Sequence, residues 1–428
     1  MFFARKSVSW FYKIERKYLY FLILGIVLKL FLAAITAHSD IWSLFIAQNL
    51  FVFKRVFNIY DYLAYLPKTD PIVSNYGVNF FTYPPLTYFT FGFFGLILRP
   101  LLSWNWFNWI VESYPYIYSN FRIFLTLFVF KLPYLIFDIG VAFLLASFFK
   151  EEKKRWQIFF LWFFNPLSFY TSFMVGQFDV ISLFFVVLGL WLIWKRNKSK
   201  AGAVCLGIGG ALKMYPLLLL PFIIWLGKDL KEKIKIGISG FLPYFLTILP
   251  FLPSAIFRQV CLFSPQSQKM LHMILPVSGA EGIYIFMFLY FFLFLYAGYK
   301  KINKDSIWQY FLVMMLLLFS STHYHPQWLL WITPFLILEL VKNDFKNLFL
   351  VLILLGCWLF ITLTFEASLS YGLFVPVFSK FQNAPSLADF LARWFDVFRL
   401  KSLVRSIFAG TALFYSWLLL KKSNDKKS

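Results

Sequence analysis

Charged side chains are scarce. They make up only 14% of the 428 residues, against 61% hydrophobic and 23% aromatic. A soluble globular domain carries about a quarter charged residues, so that class is excluded, and chain length counts membrane spans rather than domains. Cysteine is scarcer still. Cys205, Cys261 and Cys357 stand far apart with no CxxC pair, which excludes a disulfide framework and a thiolate metal site. The GxSxG, HExxH and Walker signatures are also missing, and the "GIGG" at 207–210 lies inside an apolar run, where close helix packing explains it better than dinucleotide binding. No internal repeat or low-complexity tract is evident.

What charge there is has one sign and a pattern. The formal net charge is +22, and most Lys and Arg fall in short clusters between apolar runs: the N-terminus, "KEEKKR" (150–155), "KRNKSK" (195–200), "KDLKEKIK" (228–235), "KKINK" (300–304), "KNDFK" (342–346) and the tail "KKSNDKKS". This is the positive-inside pattern, and it leaves no basic face for nucleic acid. With every cluster on the cytoplasmic side, each interval must hold an even number of crossings. The fold class expected is therefore an all-α polytopic membrane protein of about 12 transmembrane helices, with both termini cytoplasmic, forming a single integral membrane domain over 1–428. The first span, 18–37, is too long for a signal-peptide core. Residues 82–101 must not cross, and with "SWNWFNW" (103–109) they belong to a long outer loop over 38–120 with interfacial segments. Residues 201–227 turn back at Lys213 to Pro216 as two legs of near 20 Å each. Residues 236–257 and 281–299 flank another outer loop.

On this topology the unpaired polar groups gather on the outer side: Asp40, Tyr83-Pro84-Pro85, Gln177, Asp179, Lys213, Tyr215, His323 and His325. The cytoplasmic loops are too short for a nucleotide-sugar site, so any chemistry is extracytoplasmic. Asp40 either caps the end of the first helix or, with its pKa raised by partial burial, serves as a general base. Asp179 either caps the helix that follows or lines a site. Gly176 permits close backbone approach to a ligand, and Gln177 can bind a sugar hydroxyl. Lys213 snorkels or meets an anion such as a lipid phosphate. His323 and His325 suit phosphate or sugar contact, or interface packing; with no third ligand nearby they leave a divalent metal open but unsupported. Lys131 and Asp138 lie seven apart on one helix face, and Asp138 is expected to pair with a buried base such as Lys29 or Lys213.

These motifs resemble those of the GT-C fold glycosyltransferases of membranes, closest to the glycosylphosphatidylinositol-type mannosyltransferases and their prokaryotic relatives. The resemblance rests on Asp40 after the first helix, "YPPL" (83–86), "FDIG" with Asp138, "FFNPLSF" (163–169), "GQFD" (176–179) and "KMYP" (213–216), in family order over about half the chain. It marks 18–235 as the motif-bearing catalytic module and 236–428 as more variable C-terminal helices. It also implies a polyprenyl or dolichyl phosphate sugar as donor, a glycan or glycolipid as acceptor, and mannose as the sugar. His38 stands where the eukaryotic enzymes resemble a paired-acid pattern, so Asp40 is expected to act as the base without metal, and no cofactor is required.

The expected reaction is inverting transfer. Asp40 takes the acceptor proton; Lys213, His323, His325 and Arg258 hold the donor phosphate; Tyr83, Gln177, Asp179 and Tyr215 contact sugar or acceptor; Asp138, Pro84 and Pro85 support them. The alternatives are a lipid or glycolipid transporter or flippase, for which the broken Lys213 hairpin is the one favourable feature, and an assembly subunit without catalysis.

Overall fold

The computed structural model describes residues 16–425. The basic segment ahead of residue 16 and the end of the basic tail, used above to orient the chain, lie outside the described residues. Three-quarters of the chain is helical. Among the described residues five helices are long and apolar enough to cross a membrane: Tyr18–Ile35, Arg122–Ala146, Glu152–Val175, Leu230–Phe251 and Val397–Lys421. Shorter apolar helices, among them Ile285–Tyr299, Ile307–Ser321 and Leu348–Leu363, accompany them. The chain is a membrane protein.

Helix Arg122–Ala146 packs against the first helix, Arg16–Ile35, and against Glu152–Phe163 and Asp179–Arg196. Its fully buried carboxylate, Asp138, is paired, as an apolar interior requires. Lys29 donates to Asp138, and the Ser168 hydroxyl donates to the other Asp138 oxygen at 2.6 Å. Of the two buried bases named for Asp138, Lys29 is the one it meets.

Residues 38–120 contain several short helices, including Asp40–Lys54, Pro85–Ile97 and Trp104–Glu112. At about 1.5 Å per residue, the longest of these, 15 residues, falls short of a ~30 Å hydrocarbon layer. The proline pair sets a helix start: Pro84 is the N-cap residue and Pro85 the first helical residue, where its missing N–H is no loss. Within "SWNWFNW" Phe107 is buried, and its ring meets Phe45 of helix Asp40–Lys54.

The chain breaks where the two-leg reading of 201–227 placed the turn. Helix Ser199–Leu212 stops at Lys213, which is extended (φ −152°, ψ 123°), and the chain continues in the 3-10 turn Tyr215–Leu219. "GIGG" is a packing surface: a Cβ on Gly207 would lie 2.0 Å from the carbonyl oxygen of Gly240 in helix Leu230–Ile248. One element departs from the all-helical expectation. Strands Ile274–Ser278 and Glu281–Tyr284 form an antiparallel hairpin, so the helix expected from 281 begins at Ile285. Gly279 at φ +52° supplies the positive φ that a tight hairpin turn demands.

Candidate functional site

The site assembles where the first helix ends. The Ala37 amide donates to the Leu373 carbonyl at 2.8 Å, and Asp40 then opens helix Asp40–Lys54. Asp40 is thus the first residue of the second helix, where a carboxylate suits the positive end of the dipole, and does not cap the end of the first. Its Oδ2 accepts from Gln177 Nε2 at 2.7 Å, and its Oδ1 lies 3.4 Å from His38 Nδ1. That nitrogen also lies 3.3 Å from the Asp40 amide. It cannot do both at once: bare, it accepts from the amide; carrying a proton, it donates to the carboxylate. The Asp40 side chain keeps 40% of its surface accessible, so a ligand can reach it. Burial pushes its pKa up, but the hydrogen bond and charge of His38, with His325 and Lys213 behind it, outweigh burial and hold Asp40 below the usual carboxylate range. This corrects the expected upward shift.

Gln177 is delivered by a distorted segment. Asn165 caps Pro166–Ser168 through its side chain, a π-helix covers Phe169–Val175, and Gly176 ends it at φ +83°. Single-turn π-helices often mark functional sites. Gly176 meets protein rather than ligand: an added Cβ would sit 2.9 Å from Lys131 Cε and from Ile41 Cδ1. Gln177 is buried, and its Oε1 has no partner among the described residues. The Tyr83 phenol faces Asp40 and Gln177; burial and the Asp40 charge push its pKa well up, so it stays protonated. Tyr60 fixes the Tyr83 backbone by donating to its carbonyl at 2.6 Å.

Asp179 is the first residue of helix Asp179–Arg196, yet its side chain caps nothing. Both of its oxygens take Lys213 Nζ at 2.8 Å, and Trp331 Nε1 donates to Oδ1. Lys213 therefore does not snorkel; it lies between Phe178 and Trp331, with its ammonium 5.3 and 5.4 Å from their ring centres. Tyr215 stacks on Trp331, with centroids 4.1 Å apart and planes within 4°.

His323 and His325 sit at the Tyr324 turn with ring centres 5.9 Å apart. Lys269, from the distant segment before the β-hairpin, reaches His325 Nε2 at 2.6 Å. A lysine only donates, so that ring nitrogen accepts. Burial, then Lys269, pushes both histidines down to about 4, with Asp40 pulling His325 the other way. They are neutral donors and acceptors at neutral pH, not cations. Lys269 is the residue sequence reasoning passed over; its signal was a lysine stranded in a loop outside every basic cluster.

Two expected residues stand apart. Arg258 is exposed and donates to its own neighbours, the Leu252 and Pro253 carbonyls, at 2.5 and 3.0 Å. Asp138 is fully enclosed with Lys29 and Ser168. Among the described residues no three His, Cys, Asp or Glu side chains gather as a metal site. An apolar cavity of about 580 Å³, lined by Tyr170, Trp358, Leu373, Phe374 and Phe390, adjoins the cluster. Its wall residues reach both sides of the site: Leu373 binds Ala37 through its carbonyl, and Trp358 Nε1 donates to the Pro326 carbonyl at 2.9 Å, beside His325.

An accessible carboxylate, a buried amide and lysine ammonium groups thus gather near an apolar cavity. Glycosyltransferase family 87 matches residues 81–321, more than half the chain, and the chain belongs to that family. No curated protein and no solved structure matches it. It is a glycosyltransferase, using a sugar donor and an acceptor. The matched span holds Tyr83, Gln177, Asp179 and Lys213; Asp40, His323 and His325 lie outside it.

Proposed function

We propose that the protein transfers a hexose, mannose by the resemblance stated above, from a polyprenyl or dolichyl phosphate sugar to a hydroxyl of a glycan or glycolipid acceptor, with inversion. The observation that carries this reading is the accessible Asp40 carboxylate held 2.7 Å from the buried Gln177 amide. Asp40 accepts the acceptor's hydroxyl proton as that oxygen bonds to the anomeric carbon. The bond from that carbon to the phosphate oxygen breaks on the opposite face, and the polyprenyl phosphate leaves as an anion. It needs no strong acid, only charge stabilisation.

Lys213 and Lys269 supply that stabilisation, with neutral His323 and His325 as hydrogen-bond donors. Asp179 acts through Lys213, holding it in place. Gln177 and Tyr83 contact sugar or acceptor, and Tyr215 shapes the wall by stacking on Trp331. The apolar cavity beside His325 suits the lipid tail of the donor. In the membrane the chain takes a GT-C-like arrangement of about 12 crossings with both termini cytoplasmic and the site on the non-cytoplasmic face, as the distribution of basic clusters supports.

The test is transfer of labelled mannose from polyprenyl phosphate mannose by purified protein in liposomes, wild type beside Asp40→Ala. Transfer by the wild type and its loss in a folded variant supports the reading. Wild-type inactivity with mannose, glucose and arabinose donors, or equal transfer by the variant, overturns it.

A further inference from the structure

One face of helix Arg122–Ala146 carries three polar side chains at positions 131, 134 and 138, spacings that share a helix face. Asp138 grips Lys29 and Ser168, as described. Tyr134 donates to the Gly176 carbonyl at 3.0 Å. Lys131, fully buried and with no carboxylate partner among the described residues, points its Nζ at four backbone carbonyls: Ala33 at 3.1 Å, Thr36 at 2.5 Å, Phe173 at 2.9 Å and Met174 at 3.3 Å. Ala33 and Thr36 close the first helix, and Phe173 and Met174 close the π-helix.

The last carbonyls of a helix have no intrahelical partner and carry the negative end of its dipole. Two such ends meet here, and an ammonium suits both. The chain runs four residues from Thr36 to Asp40 and three from Met174 to Gln177, the two residues whose side chains meet at 2.7 Å. The packing is tight on the same axis: a Cβ on Gly176 would press on Lys131 Cε from one side and on Ile41 from the other.

We infer that Lys131 is a positioning residue of the transferase: by clamping the ends of the first helix and of the π-helix together, it sets the Asp40–Gln177 contact. Its role in transfer rests on the proposed part of Asp40; the clamp itself does not.

The test uses the full-length protein in liposomes with polyprenyl phosphate mannose as donor, comparing Lys131→Met, Lys131→Gln, Gly176→Ala and Asp40→Ala, with hydrogen exchange read by mass spectrometry. Lys131→Met is expected to lower kcat at least tenfold with KM for the donor within threefold, and Lys131→Gln, which keeps N–H donors, to recover part of the loss. Peptides covering 33–42 and 172–178 should exchange faster in Lys131→Met while helix Ile307–Ser321 is unchanged. In the Asp40→Ala background Lys131→Met should lower the residual rate no further. Should Lys131→Met fail to fold, Gly176→Ala, which keeps the lysine but displaces it, must reproduce the kcat loss. Unchanged exchange at 33–42 and 172–178, or multiplicative losses in the double variant, overturns the inference. If Asp40→Ala transfers normally, the base assignment has failed, and the exchange data alone decide the clamp.

Discussion

Lys213 Nζ lies 2.8 Å from both carboxylate oxygens of Asp179, thirty-four residues away in the chain. Asp179 is wholly buried, and only 14% of the Lys213 side chain is accessible. Removing one partner from such a pair leaves an uncompensated charge, at a cost of about 3–5 kcal/mol, whereas removing both can be close to neutral. Asp179→Asn and Lys213→Met should each lower the thermal midpoint in detergent markedly. The double variant should be more stable than either, and a double variant at the sum of the single losses would contradict the pairing.

Asp40 differs from Asp179 in being reachable and held by few contacts. Asp40→Asn preserves shape and the contact with Gln177 while removing the proton acceptor. Transfer should fall by about 10²–10⁴-fold, the usual range for losing a general base, with the thermal midpoint nearly unchanged. A loss under threefold in initial-rate measurements would remove Asp40 from the chemistry.

The pH response follows from opposite starting points with the same sign. Asp40 is held below its ordinary value, so the base form persists in acid, and its stabilising contribution is lost only as pH falls below about 3.9. His323 and His325 are pushed down to about 4, so the unfolded chain takes up their protons first as pH falls below about 6.5. Their contribution is full above that value and drains away towards pH 4. The thermal midpoint should therefore decline from about pH 6.5 to pH 4. Replacing both histidines with glutamine should flatten that decline.

Gly207 tests the packing of the broken hairpin. With the Gly240 carbonyl where a Cβ would lie, Gly207→Ala forces two helix backbones apart, at about 1–3 kcal/mol of overpacking. Gly356, with open space around it, is the control: Gly356→Ala should leave the thermal midpoint level or raise it slightly, as alanine favours helix.

Much of this arrangement was legible before any coordinates. The break at Lys213 could be read because proline and a lone charge interrupt an apolar run. That Asp138 meets a buried base could be read, with Lys29 and Lys213 both open, because a carboxylate cannot stay unpaired among lipid-length apolar helices. The partner of Asp179 could not, since a helix cap and a site role fit its position equally and neither points to Lys213. Lys269 lay beyond reach for another reason: its partner is 56 residues away, a separation no local pattern reports. The direction of the Asp40 shift also needed geometry, because burial and His38 oppose each other and only distance decides between them.

The buried amide of Gln177 has a direction. An ionised carboxylate can only accept, so the Asp40 contact commits the nitrogen end and turns the oxygen end, still without a partner among the described residues, into a one-way reader. It can recognise only a group that brings a hydrogen. Under the proposed function a sugar hydroxyl would satisfy it, and a fluorine or methoxy group in its place would leave a lone pair facing a lone pair. Discrimination between a hydroxylated sugar and its deoxyfluoro analogue, nearly equal in size, would then arise from the orientation of one amide rather than from the shape of the cavity.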